Sequence, residues 1–279
     1  MRKPWLWMNR QRFLAGPYLV WAAGFIILPL IMVLYYGLTG DGGQLTLEHL
    51  AAIADPIHVK ALWESLLIAV GSTAICLVIA YPLAYILSRA NIRQSGTVIM
   101  LFILPMWINF LLRILALQMI LANTGILNAI LQFFGLPRLH LMYSHGAILI
   151  GMVYEYLPFM ILPIYNILCK IDRDVIDAAR DLGADGVTVF RRIILPLSLP
   201  GVMSGVIMVF IPGISEFVIA DILGGSKILL IGNVIEQEFS LANDWGLGSG
   251  LSLVLMLFIF VSMPLMNKYD KTGAGQILW

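Results

Sequence analysis

Charge is scarce in this sequence. Of its 279 residues, 12% are Asp, Glu, Lys or Arg, against about 25% in a typical soluble domain. Apolar residues make up 60% and the mean hydropathy is +0.92, so a soluble fold of this length has no interior large enough to hide them. A formal net charge of +1 gives nucleic acid no electrostatic footing. Cysteine is scarcer still: Cys76 and Cys169 lie in or beside apolar runs at no metal-ligand spacing. That excludes a disulfide framework and reads as two small hydrophobic side chains. The histidines His49, His58, His140 and His145 form no pair at helical spacing, and HExxH, GxGD and deep Ser–His arrangements are missing. No metal site, cofactor or catalytic residue is therefore assigned. Gly224-Gly225-Ser226-Lys227 lacks the glycine spacing of a phosphate-binding Walker A loop.

What is there is a set of long apolar runs. Six are expected to be helices crossing a membrane: Phe13–Leu38, Ser65–Ser88, Val98–Ala122, Gly146–Cys169, Pro200–Leu223 and Leu247–Met266. Each reaches the roughly 20 residues that span a hydrocarbon core of about 30 Å, and none alternates like a barrel strand. The first run follows Arg2, Lys3, Arg10 and Arg12 as a signal peptide would. It is too long for an h-region and no small-residue cleavage site ends it, so it reads as an uncleaved helix. The expected fold is an all-α integral membrane protein, a single transmembrane domain over residues 1–279. The methionines, 14 in number, read as adaptable packing.

Lys and Arg set an expected orientation. Thirteen of the 17 fall on one side: four in the N-terminal tail, Arg89 and Arg93, five within 170–199, and Lys268 and Lys271. Lys60, Arg138 and Lys227 fall on the other side, and Arg113 lies within the third span. Both termini and the 170–199 segment are accordingly expected in the cytoplasm.

That segment has an internal pattern. Asp174 is placed to cap a short helix from Val175, with Asp177 in its first turn. Val175, Ala178, Ala179 and Leu182 fall on one helical face. Gly183 suits a left-handed terminating residue, and Asp185 can cap a second piece carrying Val187, Phe190 and Ile194 on one side. Pro196 is expected to stop that piece and Pro200 to start the next span. A face of Val and Ala fits a protein groove better than a membrane surface, where Trp, Phe and Leu are usual.

Asp177-Ala178-Ala179, three residues, Gly183, nine residues, then Ile193-x-Leu195-Pro196 resembles the EAA loop of ABC importer permeases at every spacing. Asp177 stands where that family usually has Glu, keeping the charge with a shorter reach. Tyr156–Met160, Glu216–Ile219, Leu223–Gly225, Ile231–Asn233 and Asn243–Trp245 further resemble spermidine/putrescine permeases. The resemblance implies a type I ABC importer permease in a bacterial inner membrane, forming half of a translocation pathway. It also implies partners: two copies of an ATP-binding subunit docking on the 170–199 loop, a second permease and a periplasmic solute-binding protein. Polyamine is the leading cargo it implies. Iron, thiamine and opine-like solutes share the architecture. An ion-coupled carrier, which would need no ATPase, is the alternative from a different class, although matching broken helices in the two halves are missing.

Polar groups inside spans are costly and so informative. Glu155 lies between Tyr154 and Tyr156 in the fourth span; Glu216 and Asp221 are expected on the fifth, about 140° apart around one helix. Arg113 lies near Trp107 and Asn109 in the third. One reading makes Glu155, Glu216, Tyr154, Tyr156, Trp107 and Asp221 a weakly negative, aromatic-edged passage for a cation. The other makes Arg113 with Glu155 or Glu216 an internal ion pair that fixes packing. Pro105, Pro158, Pro163 and Pro212 are expected to kink their spans.

Overall fold

The computed structural model describes residues 16–40, 42–89, 100–225 and 227–267. Arg2, Lys3, Arg10, Arg12, Phe13, Asp41, Arg93, Val98, Ser226, Lys268 and Lys271 lie outside the described residues. Among the described residues the structure is helical, apart from one isolated antiparallel bridge between Thr39 and Leu45. Six runs are long and apolar enough to cross a membrane. They are α1 (Gly16–Leu38), α2 (Pro56–Arg89), the pair α3 (Phe110–Leu121) and α4 (Ile126–Phe133), α5 (His145–Leu168), α7 (Gly186–Ile214) and α10 (Trp245–Asn267). Between them lie the shorter α6 (Arg173–Asp181), α8 (Val218–Gly224) and α9 (Ile231–Gln237).

Three expected spans end elsewhere, each for a local reason. The second begins at Pro56 rather than Ser65, because the Asp55 carboxylate accepts the Ile57 N–H at 2.8 Å and starts a helix two turns before its apolar part. The third is interrupted. Pro105 sits in a 3₁₀ turn over Leu104–Trp107, Ile108 is extended, and Asn109 restarts the helix by accepting the N–H groups of Leu111 at 2.9 Å and Leu112 at 3.4 Å. The fifth ends at Ile214 rather than Leu223. Glu216 and Asp221 therefore do not share one helix: a break at 215–217 separates α7 from α8, and the expected 140° relation does not apply.

The chain packs as two compact units. In the unit made of Met1–His58 and Ile235–Phe258, the last turn of α1 meets the first part of α10. A Cβ at Gly37 would fall 2.7 Å from Leu253 Cδ1 and 3.1 Å from the Ser249 carbonyl carbon, so glycine is what permits the approach. The rings of Tyr36 and Trp245 lie 6.0 Å apart. Tyr18, Trp21 and Phe25 point outward from α1 as an apolar surface suited to lipid.

In the unit made of Val59–Val234 and Ile259–Trp279, α5 is central. Its Ile148, Met152, Met160, Ile161 and Ile164 are fully buried. α7 lies along it, where a Cβ at Gly201 would meet the Pro163 carbonyl oxygen at 2.8 Å. Small residues at such crossings let helices associate through backbone contact where lipid offers no hydrophobic drive. Ser65 of α2 accepts the N–H of Ile231 at 2.8 Å, tying α9 to α2.

Candidate functional site

The segment between α5 and α7 folds as a short projecting foot. Asp172, two residues earlier than the expected Asp174, caps α6 by accepting the Asp174 N–H at 3.1 Å; Asp174 itself lies in the first turn. α6 ends as its sequence requires. Gly183 has φ +83°, its N–H donates to the Arg180 carbonyl at 2.8 Å, and the Ala184 N–H reaches back to Ala179 at 3.0 Å. This pairing satisfies the last carbonyls and turns the chain sharply.

Ile176 is buried and Ala179 half-buried on the side facing the rest of its unit. Val175 is 47% exposed, Leu182 is 90% exposed, and Ala178 lies beside them on the outer side. The expected face is thus divided: Ala179 joins Ile176 as an anchor, and Val175, Ala178 and Leu182 form an uncovered apolar patch. Asp177 is exposed and pairs with Arg180 at 3.7 Å, a surface contact of little stabilising consequence.

The second leg differs from expectation. Asp185 caps it, accepting the Thr188 N–H at 3.2 Å, and a hydrogen bond from the Thr188 side chain, followed by that from its N–H, holds the Asp185 carboxyl below the usual aspartate range. The helix then runs on through Pro196 and Pro200 without stopping. A π turn over Phe190–Ile194, in which the Leu195 N–H bonds the Phe190 carbonyl, widens the backbone just before Pro196. The wider turn gives the proline ring room and absorbs its missing donor. Val187, before the π turn, is exposed, while Val189 and Ile194, five residues apart across it, are both buried. Phe190 meets Tyr81 and Tyr85 of α2 edge-on, at 5.8 and 5.9 Å. The Tyr81 hydroxyl lies 2.8 Å from Ser198 Oγ, which itself donates to the Leu195 carbonyl. Of the remaining motif residues, Ile193 is half-buried and Leu195 and Pro196 are exposed along α7.

Deeper in the same unit, Arg113 Nη2 donates to Glu155 Oε1 at 2.5 Å, with both side chains 8% exposed. Beside them the Tyr156 hydroxyl donates to Glu216 Oε2 at 2.6 Å, while Glu216 Oε1 accepts the Ile219 N–H at 3.1 Å and so holds the start of α8. Asp221 accepts from Asn233 Nδ2 at 2.8 Å. The structure therefore gathers Arg113, Glu155, Tyr156 and Glu216. It does not bring Trp107, 81% exposed, or Tyr154, 43% exposed, into that cluster. Sequence reading gave no structural role to Asn233, which is buried and also donates to the Phe217 carbonyl at 2.9 Å, and missed the brace of Phe190 by Tyr81 and Tyr85. An Asn flanked by apolar residues was the available signal for the first; the second pairs residues distant in sequence and left none.

Comparison with known proteins bears on this geometry. The family model described as binding-protein-dependent transport system inner membrane component matches residues 77–272. The spermidine/putrescine transport system permease protein PotB of Haemophilus influenzae is 38% identical over 253 residues, covering 86% of this chain and 88% of that protein. Its Escherichia coli counterpart is 36% identical over 245 residues, covering 85% and 89%. A chain in the crystal structure of a bacterial alginate ABC transporter, bound to an alginate pentasaccharide-bound periplasmic protein, superposes with a TM-score of 0.76 at 14% identity, covering 98% of this chain and all of that one. A chain of the inward-facing MetNI methionine ABC transporter gives a TM-score of 0.54 at 18% identity, covering 78% and 98%. The last two establish the fold. Family match and fold together place the chain among the binding-protein-dependent transport system inner membrane components, as a multi-pass permease of an ABC importer.

Proposed function

We propose that residues 1–279 form one permease domain that makes half of a pathway for a polyamine and is driven through the foot at 170–199. The observation that carries the coupling reading is the uncovered patch of Val175, Ala178 and Leu182 on a helix anchored from behind by Ile176. A rigid, small-faced projection of this kind suits a groove on an ATP-binding subunit. Closure of two such subunits would pull on α6, and the Phe190 brace and the unbroken α7 would carry the displacement into the spans. The chain's own residues do no covalent chemistry in this scheme; ATP hydrolysis belongs to the partner, and a second permease completes the pathway. Both termini and the foot face the cytoplasm, in keeping with the distribution of Lys and Arg.

The polyamine reading is supported by the printed names of the relatives and by Glu155, Glu216 and Tyr156, which gather two carboxylates against one guanidinium. Trp107, Tyr154 and Asp221 belong to the pathway only through surfaces outside that cluster. Reconstitution with the ATPase, the second permease and the binding protein tests both readings. Radiolabelled spermidine uptake should depend on ATP and fall to background with Ala178→Arg, while binding of spermidine to the soluble receptor is unchanged. Normal uptake by Ala178→Arg would sink the coupling role, and ATP-driven uptake of other solutes but not spermidine would sink the cargo.

A further inference from the structure

A cavity of about 390 Å³ lies where the end of α2 meets α6 and the start of α7. Its volume falls in the usual range of small-ligand sites, about 300–1,000 Å³. Its polar walls are mainly cationic: Arg89 from the last turn of α2, and Arg173 and Arg180 from α6, against the single carboxylate of Asp177. That carboxylate pairs with Arg180. Arg89 is the notable member. Its guanidinium sits over the Tyr85 ring, 5.6 Å from the centroid, and its Nε and Nη2 are buried with no hydrogen-bond partner among the described residues. Burying donors of a permanently charged group without acceptors is costly, and a guanidinium fork is shaped for two acceptor oxygens. The adjoining stretch 90–99 contains no Asp or Glu, so it offers Arg89 no carboxylate.

We propose that this cavity binds a phosphate-bearing anion, supplied by the headgroup of an anionic phospholipid. Two observations favour phosphate and that source. Three guanidinium groups converge around one space, which fits a group with several acceptor oxygens better than a lone carboxylate. Tyr85 and Arg89 end the long apolar run of α2, the level at which aromatic rings and arginines meet headgroups. The bound phosphate bridges Arg89 on α2 to Arg173 on α6, so it pins the foot to the spans by a route separate from the Phe190 brace. This rests on the orientation proposed above, which puts the cavity in the cytoplasmic leaflet, but not on the docking role of Ala178.

Native mass spectrometry of the full-length chain, exchanged from detergent into phosphatidylglycerol or phosphatidylcholine mixed micelles, tests it. Wild type should retain phosphatidylglycerol in preference to phosphatidylcholine. Arg89→Gln should lower that retention about tenfold or more, as expected for losing a charge-assisted bond. Arg89→Lys, which keeps charge and loses the fork, should fall between them and serves if Arg89→Gln does not fold. Lys60→Gln, outside the cavity, should match wild type. Thermal stabilisation by inorganic phosphate or glycerol 3-phosphate in lipid-free detergent, lost in Arg89→Gln, would keep the anion site and assign it a soluble occupant instead of a lipid. Equal retention by wild type and Arg89→Gln, with no effect of phosphate, overturns the proposal, as does an equal loss in Lys60→Gln. If Arg89→Gln instead weakens co-purification of the ATPase with lipid retention unchanged, the occupant is a partner's carboxylate and the proposal fails. Ala178→Arg should leave lipid retention intact, so failure of the coupling reading and failure of this one are distinguishable.

Discussion

Arg113 and Glu155 meet at 2.5 Å in the interior of the larger unit, and each keeps one polar atom, Nε and Oε2, without a partner among the described residues. The pair joins α3 to α5, and its ions are desolvated together. Such a pair contributes modestly as a whole, yet removing either member strands the other.

Arg113→Met should therefore destabilise the detergent-solubilised protein by about 3–5 kcal/mol. The double variant Arg113→Met/Glu155→Leu should recover most of that loss. Thermal unfolding of the four members of the cycle measures it; a double variant as unstable as the single one would show that the charges serve more than each other.

The two sides of α6 should respond in opposite ways. Ile176→Ala removes a buried anchor, 4% exposed, and should cost about 2–5 kcal/mol in stability. Leu182→Glu alters a side chain that is 90% exposed and should leave the unfolding midpoint within experimental scatter. In the reconstituted importer the order reverses: Leu182→Glu should uncouple ATP hydrolysis from uptake, while residual folded Ile176→Ala should still couple.

Gly183 adopts φ +83° with open space around its Cα, so a substitution there meets backbone strain alone. Gly183→Ala should cost about 1–2 kcal/mol, and Gly183→Asn less, because Asn tolerates the left-handed region. Unfolding midpoints of the two variants check the order.

Asp185 is held below its ordinary range by Thr188. A depressed folded pKa means that its contribution is present above the unfolded value, about 3.9, and is lost as pH falls through the lower folded value. Wild type should therefore lose foot stability in acid, and Asp185→Asn, which keeps a capping oxygen without titrating, should show a flatter acid limb. Amide exchange at Thr188 and Val189 across that range reads it directly.

Much of this was legible in the chain itself. Six crossings follow from run length, and the turn at Gly183 follows from its spacing after Ala178 and Ala179. The fifth crossing was less so. Pro196 and Pro200 read locally as a stop and a start, because proline removes a donor and fills space. The π turn that accommodates Pro196 depends on where Phe190 packs, which no local pattern encodes. Glu216 reads as part of a continuous helix because 200–223 is predominantly apolar. Only the carboxylate's two bonds, to Tyr156 and Ile219, show that it begins a new one. The split of Ala178 from Ala179 was hidden for a simpler reason: the anchor Ile176 sits beside Val175, and both are β-branched apolar residues.

The unbroken course of α7 has a mechanical consequence. Its 29 residues make a rod about 43 Å long, so the end next to Asp185 and the end at Ile214 turn as one body. The hinge of the foot is then the glycine corner at its outer tip, and neither proline acts as a joint. Adding a single residue between Ile194 and Leu195 would swivel everything beyond by roughly 100°, aiming the far half of the rod at different neighbours while the tip stayed in place.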